Sequence, residues 1–192
     1  MQLLIKNLNG LRNRVTLFRN IKLNIYSGQI LYISGSNGVG KTTLLRIIAG
    51  LHNQYTGDIS FFYKGGKFKP KLYCNYLGTK HNMKDWLTIA ENLNFWQKLD
   101  NNIFYNRDNF LPLQNTLFTN LSSGQKKRVA IERLLLNKRP LWLLDEPFLH
   151  LDKQGKNFLN EILKLHTQNG GMALITSHNI IGSNVINLDE FV

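Results

Sequence analysis

The chain has 192 residues, of which 43% are hydrophobic and 11% aromatic, and its 24 Lys and Arg against 12 Asp and Glu give a formal net charge of +12. This length allows one full domain with a sizeable core, and the apolar content excludes an intrinsically disordered chain. A single cysteine, Cys74, excludes an internal disulfide framework and a multi-cysteine zinc site, and no apolar run approaches the roughly 18 residues of a membrane-spanning helix.

The N-terminal half begins with strand patterns and then changes to a helix pattern. Alternating apolar residues over 2–9 and 15–26 predict two strands, with a turn at Asn9-Gly10. The apolar run at 30–33 predicts a buried strand, which leads into a glycine-rich loop and a helix that ends near Gly50. Residues that follow, up to about 75, have the composition of a hairpin-rich β segment.

The C-terminal half alternates helices with buried strands. Helices are predicted from Thr88, from about Ser123 and over 152–168, and buried strands at 141–144 and Met172–Thr176. Alternation of this kind favours an α/β fold with a mostly parallel sheet between helices. We therefore expect residues 1–192 to form a single domain, with an antiparallel β part at the N-terminus and a helical subdomain inserted at approximately 78–137.

Residues 35–42, GSNGVGKT, fit the pattern G-x-x-x-x-G-K-[ST] between a predicted strand and a predicted helix. Glycines allow backbone N–H groups to converge on phosphates, and the helix presents its positive end to them. Lys41 is expected to reach the β- and γ-phosphates of ATP, and the hydroxyl of Thr42 to bind Mg²⁺. The ATP-binding residues expected in this segment are Gly35, Ser36, Asn37, Gly38, Val39, Gly40, Lys41, Thr42 and Thr43.

Two carboxylates follow the buried strand at 141–144. Ligands bind at the carboxyl ends of parallel strands, so Asp145 is expected to hold Mg²⁺ and Glu146 to orient or deprotonate the attacking water. A surface acidic pair at the turn before Pro147 is the competing interpretation, and the glycine loop argues against it.

The segment LSSGQ at 121–125 opens a helix and by itself indicates no more than an N-cap. This segment follows the glycine loop and precedes the acidic pair and a later histidine, His178. The set of motifs in this order resembles the ATP-binding-cassette (ABC) ATPases, whose signature is LSGGQ. The resemblance implies a head-to-tail pair of cassettes, formed with a second copy or a paralogue. Ser122 and Gly124 would then contact the γ-phosphate of the partner's ATP, His178 that of its own, and Asp152 would line the dimer seam.

The resemblance covers essentially the whole chain and is closest to the haem exporter ATP-binding subunit of cytochrome c maturation (CcmA type). It is carried by GSNGVGKTTLLRIIAGL, LDEPFLHLD and QNGGMALITSH. It implies integral membrane subunits of the haem export complex as partners. It also implies a peripheral location on the inner membrane, at the cytoplasmic face in bacteria or the matrix face in mitochondria.

Two positions depart from the family pattern. The family's metal-contacting glutamine between the glycine loop and the signature falls at about Lys80, whose ammonium would compete with Mg²⁺, so weaker or differently coupled hydrolysis is expected. The loop at 11–15 lacks an aromatic residue for the adenine, which leaves either stacking of Arg12 or Arg14 on the base or a solvated loop charge.

The positive charge also fits an ATP-gated clamp on nucleic acid or ribosomes. However, the stretch between Lys41 and Asp145 is too short for a long coiled coil, and basic residues are not interleaved with stacking aromatics, so no nucleic-acid partner is expected. The motifs are also compatible with the ATPase of another small-molecule ABC transporter and with a non-hydrolysing structural cassette. The leading hypothesis is an ATP-hydrolysing subunit of a membrane complex that handles haem.

Overall fold

The computed structural model describes residues 1–99, 113–136, 139–177 and 184–192. In this part of the chain, nine strands and four α-helices are present. The strands are β1 Gln2–Arg12, β2 Val15–Tyr26, β3 Ile30–Ser34, β4 Tyr55–Tyr63, β5 Gly66–Phe68, β6 Cys74–Leu77, β7 Leu141–Asp145, β8 Met172–Thr176 and β9 Val185–Asn187. The helices are α1 Lys41–Ile48, α2 Ile89–Leu99, α3 Ser123–Leu135 and α4 Lys153–Gln168.

The central sheet has five strands in the order β6-β7-β8-β3-β9, and its pairs are parallel. Every residue of β7 and β8 is buried, as expected where helices cover both faces of a parallel sheet. Leu141 and Leu143 of β7 pack into the cluster that contains α1, whereas Trp142 and Leu144 pack into the cluster that contains α3 and α4. The sheet therefore separates two apolar layers, as the period-two pattern of its strands requires.

The second sheet is antiparallel, with the order β2-β1-β4-β5. Its first turn lies at Asn13 and Arg14, both with positive φ, and the predicted turn at Asn9-Gly10 is wrong. Gly10 is instead a strand residue that pairs with Phe18, and a Cβ on it would lie 2.2 Å from Cζ of that ring. The glycine is needed for close packing inside the sheet and does not mark the end of a strand.

The predicted helical stretch contains α2 and α3, and residues 100–112 and 137 of that stretch lie outside the described residues. The two helices pack around a small apolar cluster that includes Ile89, Leu93 and Val129. Thr88 and Glu91 form the predicted capping box of α2, since the Glu91 N–H donates to Thr88 Oγ1 at 3.2 Å and the Thr88 N–H donates to Glu91 Oε2 at 2.8 Å.

Two strands of the central sheet were missed by the sequence patterns. Residues 74–75 fell in the predicted hairpin segment, but β6 is a parallel strand beside β7. Strand β9 pairs in parallel with β3 and was not predicted. Among the described residues, no helix combines the length and the apolar character needed to cross a bilayer.

Candidate active site

The glycine loop joins β3 to α1 in a conformation that requires glycine. Gly35, Gly38 and Gly40 have φ values of 139°, 85° and 116°, in the region that side chains disfavour. A Cβ on Gly40 would also lie 3.0 Å from Cδ1 of Phe18. Gly40 is the N-cap of α1 and has no side chain to cap the first turn, so the N–H groups of that turn suit an anion.

The ammonium of Lys41 lies over this loop. Its Nζ donates to the carbonyl oxygen of Gly35 at 2.7 Å and to that of Ser36 at 3.1 Å, and the residue is only 8% exposed. The loop and the lysine line a cavity of about 330 Å³, at the small end of the range for ligand sites. The other lining residues are Arg12, Leu17, Asn37, Gly38, Gly40, Thr42, Thr43, Asp145 and Glu146.

Asp145 ends β7 and also lines this cavity. The Thr42 hydroxyl donates to its Oδ2 at 2.8 Å, and the Thr176 hydroxyl donates to its Oδ1 at 2.8 Å. A hydroxyl and a carboxylate oxygen are hard donors of the kind that Mg²⁺ prefers. Thr42 and Asp145 therefore fit a magnesium ion beside the phosphate loop.

Glu146 follows Asp145 and has a left-handed backbone, with φ of 47°. Its N–H donates to Thr176 Oγ1 at 2.9 Å, and the residue lines the same cavity. The ammonium of Lys127, on α3, is buried nearby. Burial lowers the pKa of Lys127 to about 8, and the charges of Asp145 and Glu146 act in the opposite direction. The acidic pair thus faces an internal positive charge from the helix that follows LSSGQ.

The signature segment is an exposed helix N-terminus. Ser122 caps α3 by accepting from the Gln125 N–H at 3.2 Å, and Gln125 Oε1 accepts from the Ser122 N–H at 2.9 Å. A Cβ on Gly124 would approach the carbonyl oxygen of His150 to 3.0 Å, so this helix start packs closely against the loop before α4. Ser122 and Gly124 lie outside the described lining of the cavity beside Lys41. Within one copy of the chain, Ser122 and Gly124 are therefore not part of the site formed by the glycine loop.

Two of the remaining predicted positions, Asp152 and Lys80, are not among the described residues that line this cavity. Asp152 is exposed and caps α4, accepting from the Gly155 N–H at 2.7 Å. Lys80 is exposed and is not among the described residues that line the cavity. His178 lies outside the described residues. Of the two arginines considered for adenine, Arg12 lines the cavity and Arg14 occupies the turn after β1.

Thr176 and Asp189 were missed by the sequence patterns. The carboxylate of Asp189 accepts from the Ser36 hydroxyl at 2.6 Å and from the Ser36 N–H at 3.0 Å, and these hydrogen bonds lower the pKa of Asp189. A hydroxyl at the end of a buried strand was a usable signal for Thr176 because neighbouring parallel strands end at one edge of a sheet. Asp189 follows β9, which was not predicted, and it had no such signal.

Comparisons with known proteins agree with these motifs. The family model of the ABC transporters matches residues 18–149. The cytochrome c biogenesis ATP-binding export protein CcmA of Bartonella henselae is 35% identical over 196 residues, which cover 97% of this chain and 94% of the relative. The protein of the same name from Brucella abortus is 38% identical over 189 residues, covering 95% of this chain and 87% of the relative.

Solved structures show the same fold. An ABC transporter ATP-binding protein from Pyrococcus furiosus has a TM-score of 0.83 at 21% identity, covering 100% of this chain and 99% of its own. A dimeric ATP-binding cassette in a post-hydrolysis state, bound to ADP and Pi, has a TM-score of 0.80 at 23% identity. The match covers 96% of this chain and 93% of the solved one. The predicted fold class is confirmed, and the chain belongs to the ABC transporter family of ATPases, within the group of the cytochrome c biogenesis ATP-binding export proteins.

Proposed function

We propose that this chain is the ATP-binding and ATP-hydrolysing subunit of a membrane ABC complex that exports or handles haem for cytochrome c biogenesis. The observation that carries the proposal is that one cavity is lined by residues of the glycine loop together with Lys41, Thr42, Asp145 and Glu146. It combines phosphate-binding donors, metal-binding oxygens and a carboxylate for the attacking water in one place.

Each of these groups has a distinct task. The backbone N–H groups of the loop and of the first turn of α1 bind phosphate oxygens, and Lys41 exchanges its two carbonyl partners for the β- and γ-phosphates. Thr42 and Asp145 hold Mg²⁺, which when bound neutralises charge on the phosphates. Glu146 orients the water and accepts its proton, and His178 is the further γ-phosphate contact.

A second cassette completes the site. Ser122 is exposed and Gly124 is half-buried at the N-terminus of α3, and neither is among the described residues that line the chain's own cavity, so they are available to the ATP of a partner that stacks head to tail. The related cassette bound to ADP and Pi is dimeric, which supports this arrangement. Asp152, exposed at the start of α4, would line the seam between the two copies.

The biological role rests on the relatives. Their shared name, cytochrome c biogenesis ATP-binding export protein, supports a task in that process. We infer that the partners are integral membrane subunits that handle haem. The chain would act peripherally on the inner membrane, at the cytoplasmic face in bacteria or the matrix face in mitochondria.

The proposal is tested by blocking hydrolysis so that the ATP-bound dimer accumulates. Glu146→Gln is expected to form an ATP-dependent dimer in size exclusion with Mg²⁺ and ATP, either alone or within the complex with the membrane companions, whereas adding Lys41→Ala abolishes the dimer. Glu161→Gln makes the same chemical change on an exposed residue of α4 and is expected to hydrolyse ATP like the wild type. Failure of the wild-type chain to bind Mg·ATP in this setting would refute the proposal.

A further inference from the structure

The hydroxyl of Thr176 lies between the two acidic residues of the cavity. Thr176 ends β8, has no exposed surface, and is paired in register with Asp145 of β7. Its Oγ1 donates to Asp145 Oδ1 at 2.8 Å and accepts from the Glu146 N–H at 2.9 Å. One buried side chain on a neighbouring strand therefore contacts both residues of the acidic pair.

The direction of these two hydrogen bonds is fixed by chemistry. A backbone N–H can only donate and an ionised carboxylate can only accept, so the single hydroxyl proton points to Asp145 and a lone pair to Glu146. The side chain is β-branched, which restricts χ1 in a strand. The hydroxyl is thus held in one orientation, with its proton and a lone pair both in use.

The same contacts restrict both acidic residues. The carboxylate of Asp145 is held at both oxygens, by Thr176 on β8 and by Thr42 on α1. The backbone of Glu146 is left-handed, a conformation that L-residues disfavour and that needs support from its surroundings. The hydrogen bond from its N–H to Thr176 is one such support.

We propose that Thr176 is a positioning residue for hydrolysis, which sets the carboxylate of Asp145 and the backbone of Glu146 relative to each other. This rests on the proposed function, because it assigns Asp145 to the metal and Glu146 to the water. Thr176 fixes the separation between the metal side and the water side of the site, and its effect is on turnover more than on nucleotide affinity.

The test compares a variant without the hydroxyl to one that keeps it. Thr176→Val has nearly the shape of threonine, and Thr176→Ser retains the hydroxyl. Thr167→Val is the matched control on α4, where the hydroxyl bonds only to carbonyl oxygens of its own helix, at 3.1 Å and 3.0 Å. The readouts are amide hydrogen exchange of Glu146 by NMR in the nucleotide-free protein, and kcat and KM for Mg·ATP with the companions present.

In the valine variant, we expect Glu146 amide exchange to be at least about tenfold faster and kcat at least about tenfold lower, with KM changed by less than about threefold. Serine is expected to restore both readouts to within about threefold of the wild type, and Thr167→Val to leave them unchanged. If the valine variant does not fold, Thr176→Ala, which also lacks the hydroxyl, takes its place in the comparison with serine.

Two results would overturn the inference. One is wild-type kcat and wild-type Glu146 exchange in the variant that lacks the hydroxyl. The other is a serine variant whose kcat is as low, and whose Glu146 amide exchange is as fast, as in the variant that lacks the hydroxyl. The exchange measurement uses no nucleotide, so it tests the role of Thr176 even if the wild-type chain fails to hydrolyse ATP, a result that would instead refute the proposed function.

Discussion

Two helices of the chain begin with the same capping box, and only one of these boxes belongs to the signature segment. Ser122 and Gln125 cap α3 with hydrogen bonds of 3.2 Å and 2.9 Å, and Thr88 and Glu91 cap α2 with 3.2 Å and 2.8 Å. Ser122→Ala and Thr88→Ala therefore both remove the hydroxyl that accepts from the N–H three residues on, and Thr88→Ala also removes a hydrogen bond of 2.9 Å from the Thr88 hydroxyl to Glu91 Oε2. Comparing these two variants separates the structural role of Ser122 as a helix cap from its proposed role in the partner's ATP site.

The expected loss of stability is similar for both variants. Replacing a Ser or Thr N-cap by alanine costs about 1 kcal/mol, which for a chain of this length corresponds to about 3 °C in Tm. Hydrolysis is expected to differ. Ser122 would donate to a γ-phosphate oxygen across the dimer, and loss of one such donor to developing charge typically lowers kcat about a hundredfold. Thr88→Ala removes no donor to the phosphate and should keep wild-type kcat.

The assay is ATP turnover by the assembled complex, with thermal unfolding of each variant measured in parallel. A mixed dimer with one Ser122→Ala chain should lose the site opposite that chain and keep the second site. Equal kcat in Ser122→Ala and Thr88→Ala at equal stability would refute the assignment of Ser122 to a partner's ATP.

Two further predictions concern single residues. Glu132 is buried, which raises its pKa from 4.5 to about 7, so the folded state retains a proton that the unfolded state releases. The contribution of Glu132 to the free energy of unfolding is therefore greatest below pH 4.5 and falls by up to about 3 kcal/mol as the pH rises to about 7. Glu132→Gln should remove this fall, which is measured by urea unfolding at pH 5 and pH 7.5. If the variant loses as much stability between these two pH values as the wild type does, the raised pKa is not the cause of the fall. Lys80→Gln restores the family's residue type and should lower the Mg²⁺ concentration for half-maximal hydrolysis about threefold or more, because an amide oxygen ligates the metal that an ammonium repels. Unchanged Mg²⁺ dependence would show that Lys80 does not reach the metal.

The parts of the site that depend on local backbone geometry were predictable from sequence. The glycine loop needs positive φ at several positions within a short segment, and glycine is the residue type that allows it. The caps at Thr88 and Ser122 join residues three apart in the chain, so the residue types at those spacings are sufficient to indicate them. Strand β8 was predicted with its observed bounds because it is apolar from Met172 to Ile175 and is flanked by turn and loop residues.

The parts that depend on pairing between distant segments were not predictable. A glycine after an asparagine suggests a turn, but Gly10 is required by the ring of Phe18 on the neighbouring strand. The position of Thr176 at a strand end was a usable signal, but its hydrogen bond to Asp145 follows from the β7–β8 register, which no local pattern encodes. The contact of Asp189 with Ser36 likewise joins residues far apart in the chain.

In both halves of the proposed shared site, the described groups that would contact phosphate make hydrogen bonds within the chain. Lys41 is satisfied by two carbonyl oxygens of its own loop, and the Ser122 hydroxyl accepts the cap hydrogen bond of α3. Accepting that bond uses a lone pair and leaves the hydroxyl proton for a phosphate oxygen, so the cap does not have to break when a partner's ATP binds. The binding energy of ATP is then available to close two preformed surfaces, because little of it is needed to order either one. On this argument, hydrolysis releases the dimer by removing the γ-phosphate that joins the two copies and leaves the fold of each chain intact.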